Sequence, residues 1–412
     1  MKKYMVGGAV RDILLGKTPK DIDYVVVGET PDTMKAAGFE QVGQDFPVFL
    51  KDGDEYALAR SERQTGVGYT GFTFEWNGVT LEEDLKRRDL TINSMAAKSY
   101  MPNLNMFNDF VDPYNGYEDL RNRVLRHTSE AFAEDPVRVL RLARFRARMG
   151  AEWTVADETV ALISTMSKKG VLSHLQPDRI WKEFSRAMME PHPRLFFDTL
   201  LECDALHTTF PVVYKLLTAL ESHRWHPEGN AYEHTMLVLT AAAKMGATLE
   251  ERFACICHDL GKGLTPFDKL PKHYGHDVNG VPLVAVMAKY MSVPSAYVKS
   301  AEVATRHHMR GHELDKLKPA TVVRILDDLR TGKSDDMTKV IRMVFMADHR
   351  GRLGHEDAHV DFIEVFDKFV EAYKSVKFND VVPEEVVDVK TIKPRMEAAR
   401  VKAVAEAKKA LK

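Results

Sequence analysis

The pattern of apolar and polar positions changes its period along this chain. Near the N-terminus, residues 9–15 place apolar side chains one helical turn apart and predict a short amphipathic helix. Gly16 follows and predicts the end of that helix, because glycine adopts the left-handed conformation without steric cost. Residues 21–27 are rich in β-branched side chains and predict a strand. From about residue 155 to 220 the pattern is helical throughout, so strands precede helices in this chain.

Turn and loop signals divide the strand-forming region. Residues 47–50 and 55–60 predict two short strands around the turn at 51–54. The segment 61–74 is polar and contains three glycines, which predicts a flexible loop. After residue 389 the sequence is rich in Ala, Lys, Glu and Arg, which predicts a solvated helix with a basic face.

Composition places the chain among soluble globular proteins with several domains. Its 412 residues predict two to four compact units, and 44% hydrophobic with 29% charged residues is typical of such proteins. The net charge of −2 argues against a protein that coats nucleic acid with its whole surface, so any RNA contact needs a local basic patch. Three cysteines and no long apolar run predict a reduced, cytoplasmic protein without a membrane span.

The first candidate chemistry lies in the predicted helix and strand near the N-terminus. Asp21 and Asp23 fall on one face of a strand about 7 Å apart. Such carboxylates repel each other unless a cation lies between them, and Mg²⁺ with a triphosphate completing its shell suits them. Gly7 and Gly8 let backbone amides approach phosphate oxygens, and Arg11 can grip them with two N–H groups. The alternative is a turn acid and a strand-start acid that are both solvated.

These motifs resemble a known family. The strings GGAVRD and DIDYVVVG are similar to the head of the class II tRNA nucleotidyltransferases, the CCA-adding enzymes of the DNA polymerase β-like superfamily. Later motifs extend the resemblance to the bacterial type with a C-terminal HD domain. It implies an α+β fold, in which an N-terminal mixed-sheet nucleotidyltransferase head precedes an all-α neck and body and an α-helical HD domain. The expected boundaries are 1–115 for the head, 116–224 for neck and body, 225–370 for the HD domain and 371–412 for a helical tail.

Two further motifs are similar to nucleotide-binding elements of that family. RRDLTINSMA matches the ribose-handling motif, which implies that Asp89 accepts a hydrogen bond from a hydroxyl. The stretch EDPVRVLR resembles the amino-acid template, which implies that Asp135 and Arg138 read the base and Arg141 lines the same pocket. An ordinary helix start would equally show Asp135 as N-cap before Pro136, but it would not explain the two arginines.

The template assignment agrees with the chemistry of the bases. Cytosine and adenine each present an exocyclic amine beside a ring-nitrogen acceptor, whereas uracil and guanine carry a carbonyl in place of the amine. A carboxylate that accepts from the amine, together with a guanidinium that donates to the ring nitrogen, would accept C and A. Uracil or guanine would leave buried charged partners unpaired, at a cost of about 1–3 kcal/mol each.

Histidine density rises sharply after residue 226. The string HDLGKG follows an apolar segment and is similar to the HD-domain signature. The superfamily pattern H…HD…D maps to His234, His258, Asp259 and Asp348, which implies one transition-metal site whose bound water acts as nucleophile. His276 or His307 is expected either to bind a substrate phosphate or second metal or to lie in a plain loop.

The resemblance implies a multifunctional CCA-adding enzyme that extends tRNA 3′ ends with CTP and ATP. Asp21 and Asp23 would hold Mg²⁺, Gly8 and Arg11 would cradle the triphosphate, and the HD domain would act as a phosphohydrolase on 2′,3′-cyclic, 2′- or 3′-phosphates, in some relatives with Ni²⁺. We expect a monomer or weak homodimer. Three alternatives stay open: a poly(A) polymerase, an HD phosphohydrolase with an RNA-binding head, and a non-catalytic RNA-binding module. Where the chain carries the polar insert 99–108, a shorter β-turn is expected.

Overall fold

The computed structural model describes residues 1–42, 48–64, 72–98, 110–331, 333–382 and 389–411. Within these ranges the strands are β1 (Lys2–Val6), β2 (Asp23–Val27), β3 (Glu40–Val42), β4 (Val48–Lys51), β5 (Asp54–Leu58), β6 (Ser61–Gln64), β7 (Phe72–Glu75), β8 (Ala96–Ala97), β9 (Phe110–Val111), β10 (Val124–Leu125) and β11 (Thr154–Val155).

The helices in the described part of the chain are α1 (Gly8–Leu14), α2 (Pro31–Ala36), α3 (Leu81–Lys86), α4 (Gly116–Asn122), α5 (Val137–Met149), α6 (Asp157–Lys168), α7 (Pro177–Met188), α8 (Arg194–Glu202), α9 (Leu206–Thr209), α10 (Pro211–Tyr214), α11 (Ala231–Lys244), α12 (Leu249–Cys257), α13 (His276–Met291), α14 (Ser295–His307), α15 (Pro319–Asp328), α16 (Asp336–Arg350), α17 (Asp361–Ser375), α18 (Phe378–Val381) and α19 (Val389–Lys409). Short 3-10 helices cover Thr91–Asn93, Glu130–Glu134, Val171–His174, Lys215–Thr218, Leu260–Leu264, Phe267–Lys269 and His308–Glu313.

Two compact units make up the fold. The first comprises Met1–Leu175 with Leu195–Thr208, and the second comprises Gln176–Arg194 with Thr209–Lys412. The boundaries expected from the sequence, at 115/116, 224/225 and 370/371, remain predictions. The fold class is confirmed: an N-terminal mixed sheet is followed by helices, and the HD region is helical.

A mixed sheet organises the first unit. In the described residues it has seven strands in the order β3-β4-β5-β2-β1-β8-β9, and β2 runs parallel to β5 while the other neighbours are antiparallel. Its core is formed by small and branched side chains, namely Val6, Val25, Ala59, Val79, Leu81, Leu85 and Ala96. The first two residues of β2, Asp23 and Tyr24, pair with Val6 and Met5 of β1, so an acidic residue stands at the end of a buried strand.

The opening elements form close to the predicted positions. α1 covers Gly8–Leu14, and Gly16 has φ +71°, the left-handed conformation expected at a helix end. The predicted strand 21–27 is shorter by two residues, because β2 begins at Asp23 and Asp21 lies in a bend before it. The segment 61–74, predicted as a flexible loop, instead contributes the antiparallel pair β6 and β7. Residues 65–71, and the insert at 99–108, lie outside the described residues.

The turn DPYNG builds the start of α4. The Asp112 carboxylate accepts from the backbone N–H of Gly116 at 2.8 Å and of Tyr117 at 2.9 Å, and thereby caps the helix. Asn115 has φ +57°. A Cβ on Gly116 would lie 2.2 Å from the Thr91 carbonyl oxygen, so no larger residue fits there without backbone movement.

Helices alone build the second unit in the described residues. Phe184 of α7 packs near Phe210 and Phe253, with ring centroids 5.8 and 6.3 Å away. The last helix, α19, was predicted as a solvated helix, but it packs against α15 and α17 and buries Met396 and Val404. Among the described helices, none is both long and apolar enough to cross a membrane.

Candidate active sites

The two acidic residues of the first candidate site lie at the start of β2. Burial of the carboxyl raises the pKa of Asp23, the positive charge of Arg88 lowers it, and the negative charge of Asp21 raises it further. Asp21 therefore lies close enough for its charge to act on Asp23, although it lies in the bend before β2 and not on the strand face that the sequence predicted. A divalent cation would stabilise the ionised form of Asp23, whose pKa is raised by burial and by the neighbouring negative charge.

Arg88 connects this acidic pair to the rest of the sheet unit. Its Nη2 lies 3.2 Å from Oδ2 of Asp84, a fully buried carboxylate that also accepts from Arg87 and from the Arg60 backbone N–H. A Cβ on Gly7 would lie 3.0 Å from Arg88 Nη1, and Gly7 has φ +69°. Gly7 thus provides both the backbone conformation and the space that Arg88 needs beside the carboxylates.

Arg11 lies on α1, where its guanidinium is buried. Nε and Nη2 donate to Asp12 Oδ1 at 3.0 and 2.9 Å, and Nη1 donates to Asn93 Oδ1 at 2.5 Å. Burial lowers the pKa of Arg11, and the neighbouring charges of Asp12 and Asp89 oppose that effect. In this arrangement the Arg11 guanidinium binds side chains of the protein itself. Gly8 lies beside it, since a Cβ added at Gly8 would lie 3.5 Å from Arg11 Nη2.

Asp89, which is buried, forms an ion pair with Arg141, whose side chain is 35% exposed. Arg141 places Nε 2.8 Å and Nη2 2.7 Å from Asp89 Oδ2, while Oδ1 accepts from Asn93 Nδ2 at 3.0 Å and from the Leu90 backbone N–H at 2.8 Å. Burial alone would raise the pKa of Asp89, but Arg141 and these hydrogen bonds lower it to about 2. The carboxylate is therefore ionised at neutral pH.

Asp135 and Arg138 occupy the start of α5. Asp135 Oδ1 accepts from the Val137 backbone N–H at 3.2 Å, which is the helix-start role that the sequence also allowed. Arg138 is nearly buried, and its Nη1 donates to the Ala131 carbonyl at 2.8 Å. Both side chains are held in place by these bonds.

Three further arginines of α5 contact other residues of the first unit. Arg144 is buried and stacks on the Phe145 ring at 5.1 Å. Arg146 pairs with Glu202 at 3.2 Å, and the exposed Arg148 lies 3.6 Å from Asp12.

The structure thus joins residues that the sequence proposed separately. Arg11, Asn93, Asp89 and Arg141 form one hydrogen-bonded chain from α1 to α5. Asn93 and Asp84 were not singled out by sequence reasoning. Asn93 lies within the motif RRDLTINSMA, and a polar residue that interrupts an apolar run was the available signal.

The second candidate site brings together His234 of α11, His258 and Asp259 directly after α12, and Asp348 of α16. All four are buried. His234 Nε2 lies 3.1 Å from Asp348 Oδ1 and 3.8 Å from Asp259 Oδ2, and His258 Nε2 lies 3.1 Å from Asp259 Oδ2. Helices far apart in sequence therefore bring the four predicted residues together, and the ligand atoms of His234, His258 and Asp348 lie within 4.8 Å of one another.

Two further histidines surround the other oxygen of Asp259. His276 Nε2 and His308 Nε2 lie 3.3 and 3.2 Å from Asp259 Oδ1, and both rings are buried. A Cβ on Gly261 would lie 2.0 Å from the His276 carbonyl oxygen, so this glycine allows α13 to start beside the HD turn. His307, the other candidate from the sequence, points elsewhere and contacts Asp328 at 3.0 Å.

The donor set fits metal ions. Within the described ranges, three groups have ligand atoms within 4.8 Å of one another: His226, Glu228 and His234; His234, His258 and Asp348; and Asp259, His276 and His308. Among the described residues, His258 Nε2 and Asp259 Oδ1 are buried, and their short contacts to Asp259 Oδ2 and to the rings of His276 and His308 do not have hydrogen-bond geometry. Such atoms are costly to bury unless something binds them, and imidazole with carboxylate is a typical set for transition metals.

Outer residues fix the orientation of these ligands. His258 Nδ1 lies 2.6 Å from the Cys255 carbonyl, and His234 Nδ1 lies 2.9 Å from Glu228 Oε1, which leaves each Nε2 facing the centre. Lys262 lies 2.7 Å from Asp259 Oδ2 and 2.6 Å from Glu221. Burial would lower the pKa of Lys262, but these two carboxylates raise it, so the ammonium stays charged.

Family models match three segments of the chain. The model described as "Poly A polymerase head domain" matches residues 3–126, and the model described as "HD domain" matches residues 231–332. Residues 153–216 match the model described as "Probable RNA and SrmB- binding site of polymerase A". The first candidate site therefore falls mainly in the matched head domain, and the second falls mainly in the matched HD domain; domains of both kinds depend on metal ions.

Solved structures resemble the chain over almost its whole length. A CCA-adding enzyme in an apo form has a TM-score of 0.63 at 21% identity and covers 98% of this chain and 86% of that chain. The chain has the fold of the CCA-adding enzymes. This combination of a poly(A) polymerase head and an HD domain on that fold confirms the resemblance given above.

Two other CCA-adding enzyme structures carry ligands. A complex with ATP has a TM-score of 0.64 at 20% identity and covers 98% of this chain and 85% of that chain. The Thermotoga maritima CCA-adding enzyme complexed with tRNA-CCA has a TM-score of 0.63 at 20% identity and covers 100% of this chain and 91% of that chain. At this level of identity the similarity shows a shared fold, and ATP and tRNA are ligands of those two proteins.

Proposed function

We propose that this chain is a CCA-adding tRNA nucleotidyltransferase that extends tRNA 3′ ends from CTP and ATP. One observation carries the proposal. The acidic pair Asp21 and Asp23, and the ion pair of Asp89 with Arg141, belong to one unit that matches the poly(A) polymerase head over residues 3–126. The CCA-adding enzymes of the same fold were solved with CTP, with ATP and with tRNA, which supports this substrate set.

Asp21 and Asp23 would hold Mg²⁺. When bound, that ion stabilises the charge on the α-phosphate and on departing pyrophosphate. Arg88 lies beside the carboxylates and offers a cation toward the phosphates. Gly8 and Arg11 would contact the triphosphate. Arg11 would have to exchange its bonds to Asp12 and Asn93 for phosphate oxygens, or act by holding Asn93 in place.

Asp89 and Arg141 would bind the ribose and nucleotide, while Asp135 and Arg138 would read the base edge. Because Arg141 keeps Asp89 ionised, the carboxylate can accept from a ribose hydroxyl. Asp135 lies two residues before α5 and Arg138 is the second residue of that helix, and the Arg138 backbone N–H donates to the Asp135 carbonyl at 3.0 Å, so the two side chains leave neighbouring parts of the backbone. To bind a base, Asp135 and Arg138 would either keep their hydrogen bonds to the backbone and form new ones, or replace them with hydrogen bonds to the base.

The experiment that tests the base reader offers each triphosphate separately to a tRNA lacking CCA, in the presence of Mg²⁺. Wild type is expected to incorporate CTP and, after two additions, ATP, and to refuse UTP and GTP. Arg138→Ala should lose that selection, with at least tenfold more UTP or GTP incorporated relative to CTP. Arg121→Ala, an exposed arginine of the same unit, is the matched control. Repeated incorporation of ATP alone would instead identify a poly(A) polymerase.

For the second site we infer a metal-dependent phosphohydrolase acting on 2′,3′-cyclic, 2′- or 3′-phosphates. His234, His258, Asp259 and Asp348 would hold one divalent transition metal, with Ni²⁺ as one candidate, and His276 and His308 with Asp259 would hold another. A bound metal supplies a nucleophilic water near neutral pH. Glu228 and the Cys255 carbonyl orient the rings, and the ammonium of Lys262 holds Oδ2 of Asp259.

Metal content measured by mass spectrometry tests this site independently of activity. Purified protein is expected to bind up to two transition-metal ions per chain in the HD domain. His308→Asn should remove one of them, whereas His307→Asn, its neighbour in sequence that contacts Asp328, should remove none. Equal metal content in both variants would contradict a metal ion bound by Asp259, His276 and His308.

The same proposal extends to partners and cell biology. We propose that the protein works in the cytoplasm as a monomer or weak homodimer. The domain limits proposed with it are 1–115, 116–224, 225–370 and 371–412. An HD phosphohydrolase with a merely RNA-binding head is the main rival, and full CTP incorporation by an Asp21→Ala variant would favour it.

A further inference from the structure

A cavity of about 930 Å³ lies in the second unit, away from the histidine cluster in sequence. Its walls come from the residues before α16, from the end of α17 with the start of α18, and from the first turns of α19. The lining residues include Lys333, Lys374, Lys377, Phe378, Lys393 and Arg400. A smaller cavity of about 350 Å³ shares part of this wall and adds Arg330 and Asp327.

The charge of this cavity is strongly positive for a chain whose net charge is −2. Two of its cations are neutralised: Lys374 lies 2.6 Å from Asp335, and Arg400 lies 3.2 Å from Asp327. In the described part of the chain, Lys333, Lys377 and Lys393 make no ion pair, and all three are exposed. Several lysines around one concave surface attract a ligand with more than one negative charge.

The wall behind these lysines is fixed by an aromatic ring. The Arg400 guanidinium lies over the Tyr373 ring at 4.1 Å, and the Tyr373 hydroxyl donates to Asp327. Arg400 Nε is buried and has no hydrogen-bond partner among the described residues. A rigid guanidinium with an unused donor beside a cavity can bind an additional acceptor oxygen.

An exposed aromatic side chain stands at the rim. Phe378 is 51% exposed and follows Lys377 directly at the start of α18. Large apolar side chains are usually covered, whereas exposed aromatic rings interleaved with lysines are the arrangement on which nucleobases stack beside their phosphates. A purely anionic ligand would gain nothing from this ring.

We propose that this cavity, formed between the ends of α17 and α19, binds the phosphates of a nucleotide unit and stacks its base on Phe378. The phosphate-and-base chemistry has two possible sources, a free nucleoside triphosphate or a single-stranded RNA segment. None of the lining residues belongs to the nucleotide site proposed for the head or to the HD site, so binding here does not require activity at either of them.

Equilibrium binding tests the proposal with two probes, a fluorescent oligouridylate and GTP, which the proposed base reader of the head refuses. The variant Lys377→Glu with Lys393→Glu reverses two charges at the cavity. Lys289→Glu with Lys299→Glu, at exposed positions elsewhere in the second unit, makes the same change in net charge. The cavity variant is expected to bind oligouridylate at least tenfold more weakly than wild type, with a smaller salt dependence, and the control is expected to stay within twofold.

The outcomes separate the sources. A loss confined to oligouridylate identifies RNA as the ligand, and a loss confined to GTP identifies a free nucleotide. Equal affinity of the cavity variant and the control for both probes would overturn the proposal. Phe378→Ser, which leaves the charge unchanged, should also weaken binding. If it does not, and if polyglutamate binds as tightly as oligouridylate, the surface is a general anion site and the nucleotide assignment fails.

Discussion

Arg141 places Nε and Nη2 within 2.8 Å of one oxygen of Asp89, and thereby ties α5 to the turn that follows α3. The second oxygen of Asp89 accepts from Asn93, which in turn accepts from Arg11. A single chain of polar contacts therefore connects Arg11, on the candidate triphosphate side, to Arg141 on α5, the helix that also carries Arg138 of the candidate base reader.

Removing Arg141 should cost both stability and nucleotide use. Arg141→Ala leaves the carboxylate of Asp89 buried without its cation, which costs about 1–3 kcal/mol of unfolding free energy. Because Asp89 would also be less well placed, we expect kcat/KM for CTP to fall by at least tenfold. Urea unfolding and single-turnover kinetics measure the two effects.

A double-mutant cycle provides the control for that prediction. Asp89→Asn combined with Arg141→Ala should cost less than the sum of the single changes, because the pair acts as a unit. Strict additivity would show that the contact does not couple the two residues.

Asp89 also predicts a change in stability with pH. Its pKa is about 2 in the folded protein, against 3.8 as the ordinary value, so its ionised form stabilises the fold at pH values above about 4. That stabilisation, about 2 kcal/mol by linkage, is lost as the pH falls from about 4 toward 2. Asp89→Asn should therefore be less stable than wild type at pH 7, and the difference should shrink at pH 2–3. A constant difference across that range, measured by urea unfolding, would contradict this role of the carboxylate.

The close approach of Gly116 to Thr91 predicts a large effect for a small substitution. A methyl group at Gly116 would lie 2.2 Å from the Thr91 carbonyl oxygen, so Gly116→Ala requires the turn before α4 to move. We expect a loss of about 3 kcal/mol or more, of the size seen for overpacked sites. Gly170→Ala is the matched control, because Gly170 has φ +72° but open space around its Cβ position, and should cost about 1 kcal/mol. Thermal unfolding would show the opposite order if the contact were unimportant.

The two candidate sites should be separable. Asp23→Asn is expected to reduce CTP incorporation by at least a thousandfold, because removal of a group that acts on transition-state charge costs several kcal/mol, and to leave hydrolysis of 2′,3′-cyclic phosphate intact. His258→Asn should do the reverse. If either variant abolishes both activities while the protein remains folded by circular dichroism, the assignment of one reaction to each site is wrong.

Local pattern was sufficient to predict the main elements, and long-range packing was not. The helix after Gly7 and the strand at Asp23 follow from apolar spacing and β-branched residues, which act within a few positions. By contrast, the pairing of Arg11 with Asn93 joins residues 82 positions apart, and no periodicity specifies it. The strands β6 and β7 were missed because glycines between them favoured a loop.

The histidine site shows the same limit. Adjacent His258 and Asp259 after an apolar helix indicated a metal-binding motif, and the structure brings His234 and Asp348 to it. The choice between His276 and His307 depended on which ring faces Asp259, and this is decided by how α13 packs against Gly261 and how Thr305 of α14 packs against Gly280.

The most direct measurement of CCA addition extends a set of four tRNAs that end before CCA, after C, after CC and after CCA. With CTP, ATP and Mg²⁺ present, the proposed activity predicts additions of three, two, one and no nucleotides, resolved by sequencing gel. Long adenylate tails on every substrate, or no extension of any of them by folded protein, would contradict it.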